Sequence, residues 1–286
     1  MGAAVCPGAP FLVDGTAATV AGKLAPVVRA CLDAVARLPQ VDLAVLLTTR
    51  PPASSMAPPE SPAVDQPPWR LLAPGSVIGT SPIRRSDLPD RLVSLPGPPA
   101  QPSALLADLL SRSPPIADPG TVAASVGTIV GASLLAAGAD PSGAASTDHR
   151  TATRTAARVP AVAIEVSDPM ATAVMIAGLV NGPDGVALLV VADGAACHGD
   201  DAPGRHDDRS GPFDAVLAHA LGNGDPQALL RACDPGPAAE LLASTKPLEV
   251  LALLTQNAPP TSAELLYAGA PRGVGYLVAT WSWSAS

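Results

Sequence analysis

Residues 186–221 read VALLVVADGAACHGDDAPGRHDDRSGPFDAVLAHAL, and this stretch decides the fold. An uncharged apolar run, 186–192, feeds straight into a loop carrying Asp193, His198, Asp200, Asp201, His206, Asp207 and Asp208. A helix is expected to begin near Pro212. A continuous Val/Leu run of this length predicts a strand buried on both faces, the kind that parallel sheets use. A buried strand that delivers a polar loop to a helix is also where α/β sheets bind ligands, because strand C-termini and helix N-termini meet there. The loop holds two of the four histidines in the chain, and a third, His219, follows on the helix.

Upstream of it, residues 159–166 (VPAVAIEV) carry the β-branched content of a strand. Residues 168–180 then supply an acidic N-cap, Asp168, a proline at the first helical position and a dense apolar face. With the turn at 181–185 this gives a βαβ-like unit. A similar unit opens the chain: the short apolar strand AAVC before Pro7-Gly8, helical spacing over residues 17–38, and the apolar run VDLAVLLTT at 41–49. Downstream, helices are expected over 212–221, 226–232, 237–243 and 247–258, each opened by a proline that needs no donor in a first turn. The chain closes with residues 264–267, a turn at 268–271 and the alternating run GVGYLVATWSWS, which predict an antiparallel terminal hairpin. The sheet is therefore expected to be mixed.

Two stretches break this order. Residues 50–68 hold seven prolines without periodicity, and residues 138–158 are rich in Ala, Ser, Thr and Gly. Both are expected to be flexible insertions, which puts His149 on a solvated loop. Between them lie a short strand within 69–78, an irregular Pro-rich stretch at 88–101, and a short helix at 103–110 with Ser103 as N-cap. Residues 121–139 are uncharged and long enough for a bilayer. Their Ala, Gly, Ser and Thr content instead predicts a buried helix, broken at Gly127 or Gly131.

Composition narrows the function classes. With 286 residues the chain is expected to form one domain spanning 1–286, and with only 2% aromatic residues its core must be built from Ala, Val and Leu. The Ala, Pro, Arg and Asp bias looks bacterial and high-GC. A net charge of −8 with one basic doublet, Arg84-Arg85, argues against a nucleic-acid groove. No membrane partner is expected either. The cysteines, Cys6, Cys31, Cys197 and Cys233, form no C-x-x-C pair and signal neither zinc nor a disulfide framework. Together with the lack of a secretory signal pattern, they predict reduced thiols in a cytoplasmic protein.

Chemistry concentrates in the loop after 192. Gly194 permits a tight exit from the strand, and Ala195, Ala196 and Cys197 let a ligand approach the backbone. His198 is the natural acid/base candidate, since imidazole titrates near neutral pH. The alternative is a surface histidine bonded to a neighbouring aspartate. His198, His206 and the aspartates also invite a metal reading with Fe(II) or Zn(II), although a separation of eight does not put two imidazoles on one helical face, and the acidic loop can simply be solvated. Cys197 is poorly placed as a nucleophile, because adjacent residues on an extended chain point to opposite sides. No nucleophile elbow, P-loop or dinucleotide fingerprint occurs.

The run ADGAACHGDDAPGRHDDRSGPFDAVLAHALGNGDPQALL, with AAELLASTKPLEVLALL and the ending LLYAGAPRGVGYLVATWS, resembles the actinobacterial branch of the LigB-like class III extradiol dioxygenase superfamily. The similarity is strong over 159–284 and recognisable up to residue 49; the two insertions lie outside it. It implies an α/β fold, a three-layer α/β/α sandwich around a mixed central sheet. Active members of the superfamily are oxidoreductases that open catechol-type rings with O2, using Fe(II) held by two histidines and a carboxylate and a further histidine as acid/base. That histidine sits in a Gly-Gly-Leu-Ser-His type of segment, with which Gly194-Ala195-Ala196-Cys197-His198 lines up.

The metal half departs from the pattern. Where active members carry a Pro-His-x-Pro motif, this chain reads Pro7-Gly8-Ala9-Pro10, and no histidine precedes His149. The resemblance thus implies a divergent or inactive member with no metal ligands and no cofactor, Fe(II) being expected only if the family chemistry were retained. The expected catalytic residues are His198 and Asp193, with Asp193 or Asp200 orienting the imidazole. Gly8, Gly194, Cys197, Asp200, His206 and Tyr276 would line a pocket for a small aromatic ligand. The alternative is a non-enzymatic module that binds a small molecule or a protein through the former active-site pocket.

Overall fold

A computed structural model of the chain describes residues 1–9, 12, 22, 24–39, 41, 43–49, 69–72, 130–131, 134–135, 161–180 and 186–284. The expected insertions at 50–68 and 138–158, the irregular stretch at 88–101 and the helix at 103–110 lie outside these residues.

The central element is a mixed sheet. Its strands are β1 (Gly2–Cys6), β2 (Leu43–Thr49), β3 (Trp69–Leu72), β4 (Ala161–Val166), β5 (Val186–Val191), β6 (Ser262–Gly269) and β7 (Tyr276–Ser282), in the order β3-β4-β2-β5-β1-β7-β6. Strands β4, β2, β5 and β1 are mutually parallel, while β3 at one edge and the β6–β7 hairpin at the other run antiparallel. Helices are α1 (Ala25–Ala36), α2 (Pro169–Val180), α3 (Ser210–Asn223), α4 (Pro226–Ala232), α5 (Pro235–Glu240) and α6 (Lys246–Thr255).

The uncharged run Val186–Val191 is buried along its whole length as β5. Its side chains alternate between two cores. Val186, Leu188 and Val190 join Ala3 and Val5 of β1 and Val45 and Leu47 of β2 in a cluster under α2, α3, α4 and α6. Leu189 and Val191 join Ala4, Cys6, Ala44 and Leu46 in the opposite cluster, covered by Val27, Ala30, Cys31 and Ala34 of α1 and by Val130 and Leu134. Helices thus cover both faces of the central strands, which explains why these strands read as continuous apolar runs rather than alternating ones. Gly131 is helical and lies against Leu46; a Cβ there would overlap the leucine side chain, so the glycine permits a close approach to β2.

Capping follows the expected chemistry. Asp168 Oδ1 accepts from Ala171 N–H at 3.1 Å, and Asp225 Oδ1 accepts from Ala228 N–H at 2.9 Å at the start of α4. Three helices differ in their bounds: α3 runs over Ser210–Asn223 rather than 212–221, α5 over Pro235–Glu240 rather than 237–243, and α6 over Lys246–Thr255 rather than 247–258. Beneath the hairpin, Trp281 Nε1 donates to the Leu221 carbonyl at 2.7 Å, satisfying an acceptor in the last turn of α3.

The topology singles out one edge of the sheet. From β1 the chain turns through α1 onto one face of the sheet; from β5 it turns into α3 on the other face. Because β1 and β5 are hydrogen-bonded neighbours, their exits diverge, and the space beyond their C-termini is a topological switch point. No described helix is long and apolar enough to cross a membrane.

Candidate functional site

At the switch point β5 continues as an irregular ribbon that pairs with the segment leading into β7. Gly194 N–H donates to the Gly275 carbonyl at 2.8 Å, Gly275 N–H to Ala195 at 2.7 Å, and His198 N–H to Gly273 at 3.1 Å. Gly273 has φ 72°, a left-handed conformation that favours glycine. Successive residues of the ribbon present opposite sides, and the expected site residues are divided accordingly.

On the α3 side lies His198. Its Nε2 is 2.6 Å from Asp214 Oδ2, while Asp214 Oδ1 accepts from Ala195 N–H at 2.8 Å. The His198 and Asp214 side chains retain only 17% and 13% of their exposure, so the pair is held out of bulk solvent. Burial pushes the Asp214 carboxyl upward, against the Ala195 N–H and His198, which both favour its charged form. With Nε2 committed and no other described group bonded to the ring, Nδ1 is the nitrogen left for proton exchange. Room for the carboxylate comes from two glycines: a Cβ on either Gly194 or Gly275 would overlap Asp214.

On the α1 side lies Asp193. Its Oδ1 accepts from Gly8 N–H at 3.0 Å, joining residues 185 apart in sequence. Its backbone is fixed as well, since Asp193 N–H donates to Ser244 Oγ at 2.8 Å and Ser244 N–H returns to the Asp193 carbonyl at 3.0 Å. Burial raises the Asp193 carboxyl to about 6, with the Gly8 N–H opposing it. The Tyr276 phenol is raised too, first by burial and then by the Asp193 charge, with Arg272 acting in the other direction and Tyr267 in the same one.

The expected roles are revised in three places. The carboxylate that orients His198 is Asp214, not Asp193 or Asp200: Asp193 faces Gly8 across the ribbon, and Asp200 is exposed on a turn. His206 is exposed and pairs with Asp208 at 3.1 Å, away from the His198 pair. Cys197 is buried against Leu241 and donates to its carbonyl at 3.6 Å, a packing role in the small cluster with Ala195. Gly8 and Tyr276 remain beside Asp193, and Gly194 beside Asp214. His219 is exposed on α3 with Asn223; His149 lies outside the described residues. Asp214 escaped sequence reading because an acid near a helix start has a simpler explanation in the helix dipole. The available signal was the glycine pair of GVG at 273–275, which marks a close approach to something.

The fold and site define the class: an α/β protein with a mixed sheet, a divided polar site at the C-terminal edge of its parallel strands, and a buried Asp–His pair. No family model matches the chain, and no curated protein matches it.

Proposed function

We propose that the chain is a divergent LigB-like α/β/α protein that binds a small aromatic molecule at the switch point and does not open rings with iron. The observation that supports this most directly is the bond from Gly8 N–H to the Asp193 carboxyl. Where active relatives in the resembled superfamily carry a metal-binding histidine, this chain offers a backbone N–H, and a Cβ at Gly8 would already stand 3.0 Å from Asp193 Oδ2. Among the described residues the donors do not fit a two-histidine, one-carboxylate iron centre. His198 is turned onto Asp214 on the other side of the ribbon, and no three described His, Cys, Asp or Glu side chains gather as a metal set.

The test is protein produced and purified anaerobically with Fe(II) supplied, assayed for bound metal, for oxygen uptake with a catechol panel, and for catechol binding by calorimetry. Substoichiometric iron, no ring-opening colour and saturable binding are expected. One tightly held iron per chain with ring cleavage would overturn the reading.

A second reading rests on the 2.6 Å His198–Asp214 contact. A carboxylate that fixes one imidazole nitrogen and leaves the other available is the arrangement general acid–base catalysis requires. In that reading the bound molecule is turned over by proton transfer through Nδ1. Turnover abolished in His198→Ala supports it, and turnover unchanged in that variant removes His198 from the chemistry.

A further inference from the structure

The chain contains only two tyrosines, and both belong to the side of the sheet onto which Asp193 faces. Tyr276 opens β7 and Tyr267 lies on β6; each packs with the α1-side core, and their phenols are close enough to influence one another. In a protein with 2% aromatic residues, the buried Tyr276 and the half-buried Tyr267 set this end of the sheet, beside Asp193, apart. Asp193 also has unused capacity. Its Oδ1 takes the Gly8 N–H, whereas no described group bonds Oδ2. A carboxylate offers about four acceptor directions, so one backbone N–H leaves most of them open.

Resting on the proposal that the switch point binds a small aromatic molecule, we infer that this molecule carries a cationic nitrogen, an ammonium group seated on Asp193 Oδ2 with Tyr276 and Tyr267 nearby. A charge-assisted bond to a desolvated carboxylate is roughly twice as strong as a neutral one. Tyrosine rings add attraction for the same charge when it approaches their faces. A neutral hydroxyl on the ligand would satisfy the acceptor but leave the buried charge uncompensated. The chain's net charge of −8 favours approach of a cation over that of an anion. Among the described residues, Arg272 is the cationic side chain that acts on this cluster; it is exposed on the hairpin turn, and no described hydrogen bond joins it to the carboxylate.

The same carboxyl makes binding depend on pH. With burial holding Asp193 at about 6, it is charged above that value and neutral below it. The other titratable or charged groups around it on the described elements are Tyr276, Tyr267, Arg272, and the Cys6 and Cys31 thiols beneath. Phenols, thiols and guanidinium groups ordinarily deprotonate above pH 8, and the His198–Asp214 pair lies on the other side of the ribbon, so a binding transition near pH 6 that belongs to Asp193 must disappear in Asp193→Asn, which leaves that pair in place.

The test compares benzylamine, an ammonium ion throughout the range used, with its neutral isostere benzyl alcohol, by calorimetry on the full chain. Benzylamine is expected to bind at least about tenfold more tightly than benzyl alcohol near pH 7.5, and to lose about tenfold near pH 5. In Asp193→Asn, which keeps an oxygen for the Gly8 N–H, the preference for benzylamine should vanish. The isostere comparison and the pH profile need only the wild-type protein, so they stand even if the variant folds poorly. Equal affinity for the two probes, or benzylamine binding that ignores pH, overturns the inference. If catechols bind while benzylamine does not, the inference falls and the aromatic-binding proposal survives; if no aromatic probe binds, both fall.

Discussion

Replacing Gly275 by alanine tests the geometry of the Asp–His pair without touching either member. A Cβ at 275 would occupy the same space as Asp214 Oδ2, and Gly275 does not have a positive φ, so the effect of the methyl group is steric. The segment around 275 is held to Gly194 and Ala195 by bonds of 2.8 and 2.7 Å, leaving the carboxylate as the part that must move. Its movement breaks the 2.6 Å contact with His198 and the 2.8 Å bond from Ala195 N–H. Ala195 is fully buried, so its N–H finds no water in exchange. An unpaired buried donor costs about 1–3 kcal/mol and overpacking about 1–3 kcal/mol more, together roughly 2–6 kcal/mol. For a chain of this size that corresponds to a Tm lowered by about 3–10 °C. The assay is thermal and urea denaturation of wild type, Gly275→Ala, Asp214→Ala and the double variant. If the methyl acts by displacing the carboxylate, the double variant will be less destabilised than the sum of the singles by about 1–3 kcal/mol, because the carboxylate is already gone. Single effects that add within about 0.5 kcal/mol, or a Gly275→Ala Tm equal to wild type, would refute the reasoning.

Two further expectations concern stability alone. Asp193 has its folded-state pKa raised from 3.8 to about 6, so it favours the folded state below pH 4, and that contribution is lost as pH rises through about 6. Asp193→Asn should therefore stabilise the protein at neutral pH by up to about 3 kcal/mol and leave it nearly unchanged near pH 4; denaturation curves at both pH values check this, and equal effects at the two would contradict it. Leu242 follows α5 with φ 55° and is 57% exposed, a strained backbone with little burial in return. Leu242→Gly should raise stability by about 0.5–1 kcal/mol in urea denaturation, and a loss of that size would show the side chain to matter more than the strain.

The strands and most helices were legible because their determinants are local. The charge-free run at 186–192, the β-branched run ending at Val166 and the first-turn prolines each carry their own signal, and β5, β4, α4 and α6 lie where those signals put them. The terminal hairpin was legible for the same reason, although β6 is longer than its expected four residues: Ser262 and Ala263 continue the ladder against Ser282 and Trp281, and Ala268 and Gly269, expected in the turn, pair with Leu277 and Tyr276. Partners at the site were not legible. Asp214 reaches His198 only because the ribbon and the start of α3 converge, and Gly8 reaches Asp193 across most of the chain. Among the aspartates of the loop and of α3, sequence spacing has no means of choosing the one that folding brings to the imidazole.

Both buried carboxylates at this edge are compensated in the same way, by a backbone N–H from a neighbouring segment: Gly8 for Asp193 and Ala195 for Asp214. Such donors are present whatever the side chain, so the polar architecture of the site rests on main-chain position, and the glycines decide which carboxylates fit. Gly194 and Gly275 leave the space that Asp214 fills on one side of the ribbon, while Gly8 leaves the space beside Asp193 on the other. A side chain at Gly8 would crowd the Asp193 carboxylate from the first side, and one at Gly275 would disassemble the Asp–His pair from the second. The two halves are therefore separable: a change at Gly8 or Asp193 can leave the His198–Asp214 pair intact, and the reverse.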